Sequence, residues 1–155
     1  MIPVLTNLLT DKDIKTKVEA DSWQEVGRLA GQILVDKGAV EPHYPDAMLA
    51  AVEKLGMYIV IAPGIALFHG RPEDGVNSVG LSMVTLKDGV NFGVKDKDPV
   101  RLAFALAAID HDAHLNLLAA LSKVLQDQEV VHGLMEAESP QQAIALIENK
   151  FSREV

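Results

Sequence analysis

Apolar positions along this chain follow two periods. Ile14, Thr16 and Val18 alternate with lysines in "IKTKVEA", which predicts a half-exposed strand. "DSWQEVGRLAGQILVDKG" then switches to helical spacing, with Trp23, Val26, Leu29, Ala30, Ile33 and Leu34 on one stripe. Ser22 and Glu25 have the spacing of a capping box, and Gly38 stops the pattern after Lys37. A second helix is predicted from Pro45 through "DAMLAAVEKLG", because proline suits a first helical position and Gly56 ends the run. Ahead of all these, residues 1–10 predict a short helix.

The middle of the chain is β-rich. "MYIVIA" and "IALFH" read as two short strands separated by the turn pair Pro63-Gly64. "SVGLSMVTLKDGVNFG" reads as a strand, a turn near Asp88-Gly89 and a short strand. "VRLAFALAAI" is apolar throughout and fits a buried strand or a helix equally by period. The last third is helical in pattern. "DAHLNLLAALSKVLQD" places Leu115, Leu118, Leu121 and Leu125 on one stripe, and "SPQQAIALIENK" opens with Ser139 as cap, Pro140 at the first position and Gln142 as the box partner. Buried strands among amphipathic helices predict an α/β fold with a mixed central sheet between two helical layers.

Composition narrows the function. The 155 residues suit one domain spanning the whole chain, able to bury roughly two thirds of its unfolded surface. With no cysteine, disulfides and thiolate chemistry are excluded. The net charge of −8, with no basic run, argues against nucleic-acid binding. No apolar run reaches the ~18 residues of a membrane span, and "MIPVLTNLLTDKDIK" lacks the features of a signal peptide. A cytoplasmic protein without membrane insertion is expected.

Five histidines are candidates for chemistry. His69 ends the apolar run "IALFH" and opens "GRPEDG". By strand alternation Ile65, Leu67 and His69 share one face, while Ala66, Phe68 and Gly70 share the other. A neutral imidazole at a strand end can act as a nucleophile, Arg71 offers a fork for phosphate oxygens, and Gly70 permits close backbone approach. On the residues alone, a structural histidine fits this position better than a catalytic one. "DHDAH", Asp110 to His114, fits a helix N-terminus capped by Asp110, and also a metal site for which no third ligand is identifiable. His43 and His132 lie in polar surroundings and are expected at the surface. The glycines of "KDGVNFGVKDKDP" lack the spacing of a phosphate-binding loop, and no serine lies in a nucleophile elbow.

"YIVIAPGIALFHGRPEDGV", followed by "GLSMVTLKDGVNFG", "DPV", "AAIDHDAH" and a leucine-rich helix, resembles the mannitol/fructose-type IIA components of the bacterial phosphoenolpyruvate-dependent sugar phosphotransferase system. Within that family it is most similar to the ascorbate-specific branch, and the resemblance covers nearly the whole chain. It implies a phosphorelay in which phospho-HPr phosphorylates a IIA histidine, a cysteine on IIB takes the group, and the sugar receives it during transport by the membrane component IIC. It implies His69 as acceptor and His114 as the second, stabilising histidine, with no metal or other cofactor. Mannitol-type members carry an arginine in the helix after "AML". "AMLAAVEKLG" has none, so Arg71 is the expected phosphate-positioning residue. Phe68 stands where the family has proline, so its ring either packs into the sheet behind His69 or alters the site. Two other readings of the residues stand beside this one: a regulatory module that binds partners on the same fold, and a metal-dependent hydrolase centred on "DHDAH".

Overall fold

The computed structural model describes residues 8–151. The helix expected over residues 1–10 lies mostly outside this range. The described residues form a mixed five-stranded sheet with helices on both faces, the predicted α/β architecture. Its strands are β1 (Ile14–Val18), β2 (Val60–Ala62), β3 (Ile65–His69), β4 (Gly80–Val90) and β5 (Val100–Ala107), in the order β1-β4-β5-β3-β2. β1 runs parallel to β4 and β3 parallel to β5, whereas the β4–β5 and β2–β3 pairs are antiparallel.

Strand alternation divides the core in two. Ile65, Leu67, Leu81, Met83, Leu102, Phe104 and Leu106 pack on one face against α3 (His111–Leu125), α4 (Gln128–Glu136) and α5 (Pro140–Phe151). Ala66, Phe68, Val84, Leu86, Ala103 and Ala105 pack on the other against α1 (Trp23–Asp36) and α2 (Tyr44–Leu55). Burial of both faces explains why "VRLAFALAAI" has no polar alternation: as β5 it is the strand between β4 and β3.

Local chemistry sets the helix ends. Ser22 Oγ accepts the Glu25 N–H at 3.2 Å, and Ser139 Oγ accepts that of Gln142 at 3.1 Å. The reciprocal bonds come from one residue earlier than a standard capping box: Asp21 N–H donates to Glu25 Oε2 and Glu138 N–H to Gln142 Oε1. Asp110 and Asp127 cap α3 and α4 through Ala113 N–H and Val130 N–H. α2 starts at Tyr44, one residue before Pro45.

Three expectations are corrected. β4 runs unbroken through Asp88-Gly89, and the reversal comes later, over residues 91–99. There the Asp98 carboxylate accepts the N–H groups of Phe92, Gly93 and Val94 at 2.7–2.9 Å. Gly89 is required by the close approach of Pro99, whose Cβ would lie 2.5 Å from an added methyl group. Only the last three residues of "MYIVIA" enter β2. α3 buries Leu117, Ala120, Leu121 and Val124, leaving Leu115 exposed, because its leucines cover two adjacent faces and period alone does not set the rotation. No helix among the described residues is long and apolar enough to cross a membrane.

Candidate functional site

The parallel pair β3 and β5 ends together at His69 and Leu106, which are cross-strand partners. Carboxyl ends of parallel strands are where open α/β sheets place their ligands. The chain leaves β5, passes Ala108 and Ile109, and starts α3 at His111 after the Asp110 cap. His114 therefore lies in the first turn of α3, beside the end of β3. Its ring centroid is 5.6 Å from that of His69. The structure thus brings together the two histidines singled out in the sequence, 45 positions apart, while His43, His111 and His132 are exposed.

His69 is half-buried, on the same sheet face as Leu67. Its Nδ1 lies 3.3 Å from the Leu67 carbonyl oxygen. A carbonyl only accepts, so this contact as a hydrogen bond requires the proton on Nδ1 and leaves the lone pair on Nε2. Burial holds the His69 pKa below the ordinary imidazole value, and His114 pushes the same way against an opposing effect of the Leu67 carbonyl. The ring is neutral at pH 7, with one nucleophilic nitrogen. Tyr58 meets it edge-on, with centroids 5.5 Å apart and planes at 82°.

Beside His69 opens a cavity of about 540 Å³, walled by Ala47, Ala50 and Ala51 of α2 and reached by Lys54, Tyr58 and Arg71. Ligand pockets fall in this size range. Arg71 is exposed and engages Asp74, with Nη2 to Oδ1 at 3.2 Å and Nε to Oδ2 at 3.4 Å. "AMLAAVEKLG", which lacks an arginine, forms the cavity wall, and Lys54 is its cation there. Among the described residues no carboxylate pairs with Lys54.

Phe68 points away from His69 and is fully buried. Its ring lies 6.0 Å from that of Phe92 and fills space left open by Gly27 of α1. A methyl group at Gly27 would lie 2.8 Å from Phe68 Cε1. The ring packs into the core on the sheet face opposite His69.

"DHDAH" acts locally as a helix start: Asp110 Oδ1 accepts the Ala113 N–H at 2.8 Å. Among the described residues no group of three His, Asp or Glu side chains could jointly hold a metal ion. Sequence reasoning missed Tyr44, Lys54, Tyr58 and Asp74. Lys54 and Tyr58 flank a helix end and reach the cavity only through the fold. Tyr44 stands just ahead of the helix start predicted at Pro45, where nothing in the pattern marks it as a fully buried phenol.

Residues 7–150 match the family model for "Phosphoenolpyruvate-dependent sugar phosphotransferase system, EIIA 2". The ascorbate-specific PTS system EIIA component of Escherichia coli strain K12 is 38% identical over 143 residues, covering 92% of this chain and 93% of that protein. The solution structure of the mannitol-specific cryptic phosphotransferase enzyme IIA CmtB of Escherichia coli aligns with a TM-score of 0.84 at 32% identity, over 94% of this chain and 98% of that one. A complex of Escherichia coli enzyme IIAMTL with phosphorylated enzyme IIBMTL aligns with a TM-score of 0.79 at 28% identity, over 89% and 95% of the two chains.

Proposed function

This chain belongs to the EIIA 2 family of the phosphoenolpyruvate-dependent sugar phosphotransferase system, whose members are phosphocarrier transferases, and on that premise we propose that His69 carries the phosphoryl group. The observation that carries the proposal is the pairing of a half-buried neutral His69 with His114 at the shared end of β3 and β5.

The chemistry follows from the ring. The donor is phospho-HPr. His69 Nε2 attacks its phosphorus in line, a P–N bond forms, and the donor's P–N bond breaks with its electron pair returning to the donor nitrogen. His69 keeps its Nδ1 proton and the donor ring keeps its own N–H, so no general base is needed. Such transfer relies on positioning and on charge offset at the equatorial oxygens. The His114 ring beside His69, together with Arg71 and Lys54 from the cavity, supplies that offset, and the start of α3 adds partial positive charge. The new phosphoryl group brings about −1.5 to −2 charge if it ionises as other phosphorylated side chains do. Arg71 meets it by leaving Asp74, an exposed pairing of small energy.

In the second half-reaction a IIB cysteine thiolate takes the phosphoryl group, and the membrane component IIC delivers the sugar. The complex of IIAMTL with phosphorylated IIBMTL supports IIB as the acceptor. The likeness to ascorbate-specific EIIA components supports ascorbate as the sugar, and a cytoplasmic protein is the reading consistent with such a relay.

Incubation with enzyme I, HPr and labelled phosphoenolpyruvate tests the assignment. The wild-type protein takes up label that His69→Ala does not, and His114→Ala slows uptake while keeping the fold. Retention of label by His69→Ala would overturn the role of His69, and an unchanged rate in His114→Ala would remove His114 from the mechanism.

A further inference from the structure

Tyr44 is a large buried polar side chain for which the phosphorelay supplies no role. We propose that it is a positioning residue for transfer at His69, its phenol fixing the end of β3 so that the imidazole is presented in one tautomer and one orientation. The proposal rests on the reading of His69 as phosphoryl acceptor.

Tyr44 is the first residue of α2 and is fully buried. Its hydroxyl lies 2.9 Å from the Leu106 carbonyl oxygen and accepts the Gly70 N–H at 2.8 Å. Since the carbonyl can only accept, the hydroxyl proton goes to Leu106 and an oxygen lone pair to Gly70. Burial pushes the phenol pKa up to about 12, so that proton is kept at working pH. Leu106 is the cross-strand partner of His69, and Gly70 is the first residue beyond β3. One hydroxyl therefore closes the β3–β5 pair where the ladder stops.

The bond to Gly70 holds the peptide unit between residues 69 and 70, and so restricts ψ of His69. With the backbone held, only staggered χ1 wells remain for the ring. The contact of Nδ1 with Leu67 O selects among them and leaves Nε2 as the nucleophile. Without the hydroxyl this chain of constraints loses its anchor. A phenylalanine would fill nearly the same space but leave the Leu106 carbonyl and the Gly70 N–H without this partner. Gly70 belongs to the same device: a methyl group there would lie 3.0 Å from Tyr44 Cε1 and 3.2 Å from Asp74 Oδ2, displacing the phenol.

The test uses full-length Tyr44→Phe, with three readouts. These are a thermal melt, single-turnover phosphoryl transfer from phospho-HPr, and the ¹⁵N shifts of the His69 ring, which report the tautomer without any donor. The variant is expected to fold, to transfer about tenfold or more slowly, and to show His69 as a mixture of tautomers. A folded variant with wild-type rate overturns the proposal. So does a slower variant whose His69 shifts are unchanged, since Tyr44 would then only support the fold. Should Tyr44→Phe not fold, Gly70→Ala takes its place with the same expected and overturning results. If the wild-type protein takes up no label, or His69→Ala keeps it, the phosphocarrier reading fails instead; the ¹⁵N comparison still reports whether Tyr44 orders the ring.

Discussion

His69 has to remain unprotonated to act as a nucleophile, and its surroundings arrange this mainly by withholding water. Its folded pKa lies below the ordinary value, near 6.5, that it has in the unfolded chain. On acidification the unfolded state binds the proton first, so folding loses stability. The His69 contribution is fully present above pH 6.5 and is lost as pH falls through the folded pKa. Wild-type stability should therefore decline relative to His69→Asn between pH 7 and pH 5 in urea unfolding. A constant difference across that range would contradict the shift. Phe68 yields a second prediction at this scale. Alanine is favoured over glycine in a helix by about 1 kcal/mol, yet Gly27→Ala should destabilise the protein because its methyl group meets the Phe68 ring and Leu49 Cδ2. In a Phe68→Leu background that penalty should shrink, giving a coupling of roughly 1 kcal/mol in a double-mutant cycle. Additive effects would mean that glycine is not there for the ring. The sequence marks His69, His114 and Arg71 because imidazole and guanidinium are visible as chemistry. It is silent about Gly27, since a glycine that makes room for a residue 41 positions away looks like any other.

Caps and turns are read from the chain where a side chain meets its own backbone nearby. Ser22, Ser139 and Asp110 are legible for this reason: each bonds an N–H three residues on. The reversal between β4 and β5 is not. Asp88-Gly89 carries a strong turn signal, but Pro99 packs on Gly89 and the strand continues. The residue that shapes the turn is Asp98, which gathers three N–H groups four to six positions earlier in the chain. Asp98→Ala should cost about 2 kcal/mol, because bonds to a charged acceptor are lost and partly exposed N–H groups recover water. The turn leads into the start of β5, at the end of the sheet opposite His69, so the folded variant should transfer phosphoryl at the wild-type rate. Urea unfolding and a labelling assay check the two halves. A stability change below about 0.5 kcal/mol would deny Asp98 its role.

Strand order is a property of the whole molecule that no local pattern carries. The sequence predicts a mixed sheet but does not say that β3 pairs with β5, and that pairing places His69 beside α3. The same assembly gathers surface features that look unrelated along the chain. Of the five large apolar side chains exposed among the described residues, Leu55 and Tyr58 line the cavity at His69, Ile109 and Leu115 adjoin the cap of α3 and His114, and Ile61 lies apart on β2. Single exposed apolar residues are ordinary, but four gathered around His69 and His114 on a chain of net charge −8 are expected to form the apolar centre of a docking surface. The misplaced Leu115 fits this expectation: it belongs to a face of α3 turned away from the sheet. A phosphocarrier must dock two partners in turn at the same atom, so this surface should govern affinity more than chemistry. Leu115→Glu is expected to raise the half-saturating concentration of phospho-HPr about tenfold, leaving the maximal rate unchanged. Lys123→Ala makes the same unit change in charge in the last turn of α3 and should leave both constants as they are. Equal effects of the two substitutions would assign the change to net charge, and a loss confined to the maximal rate would place Leu115 in the reacting centre.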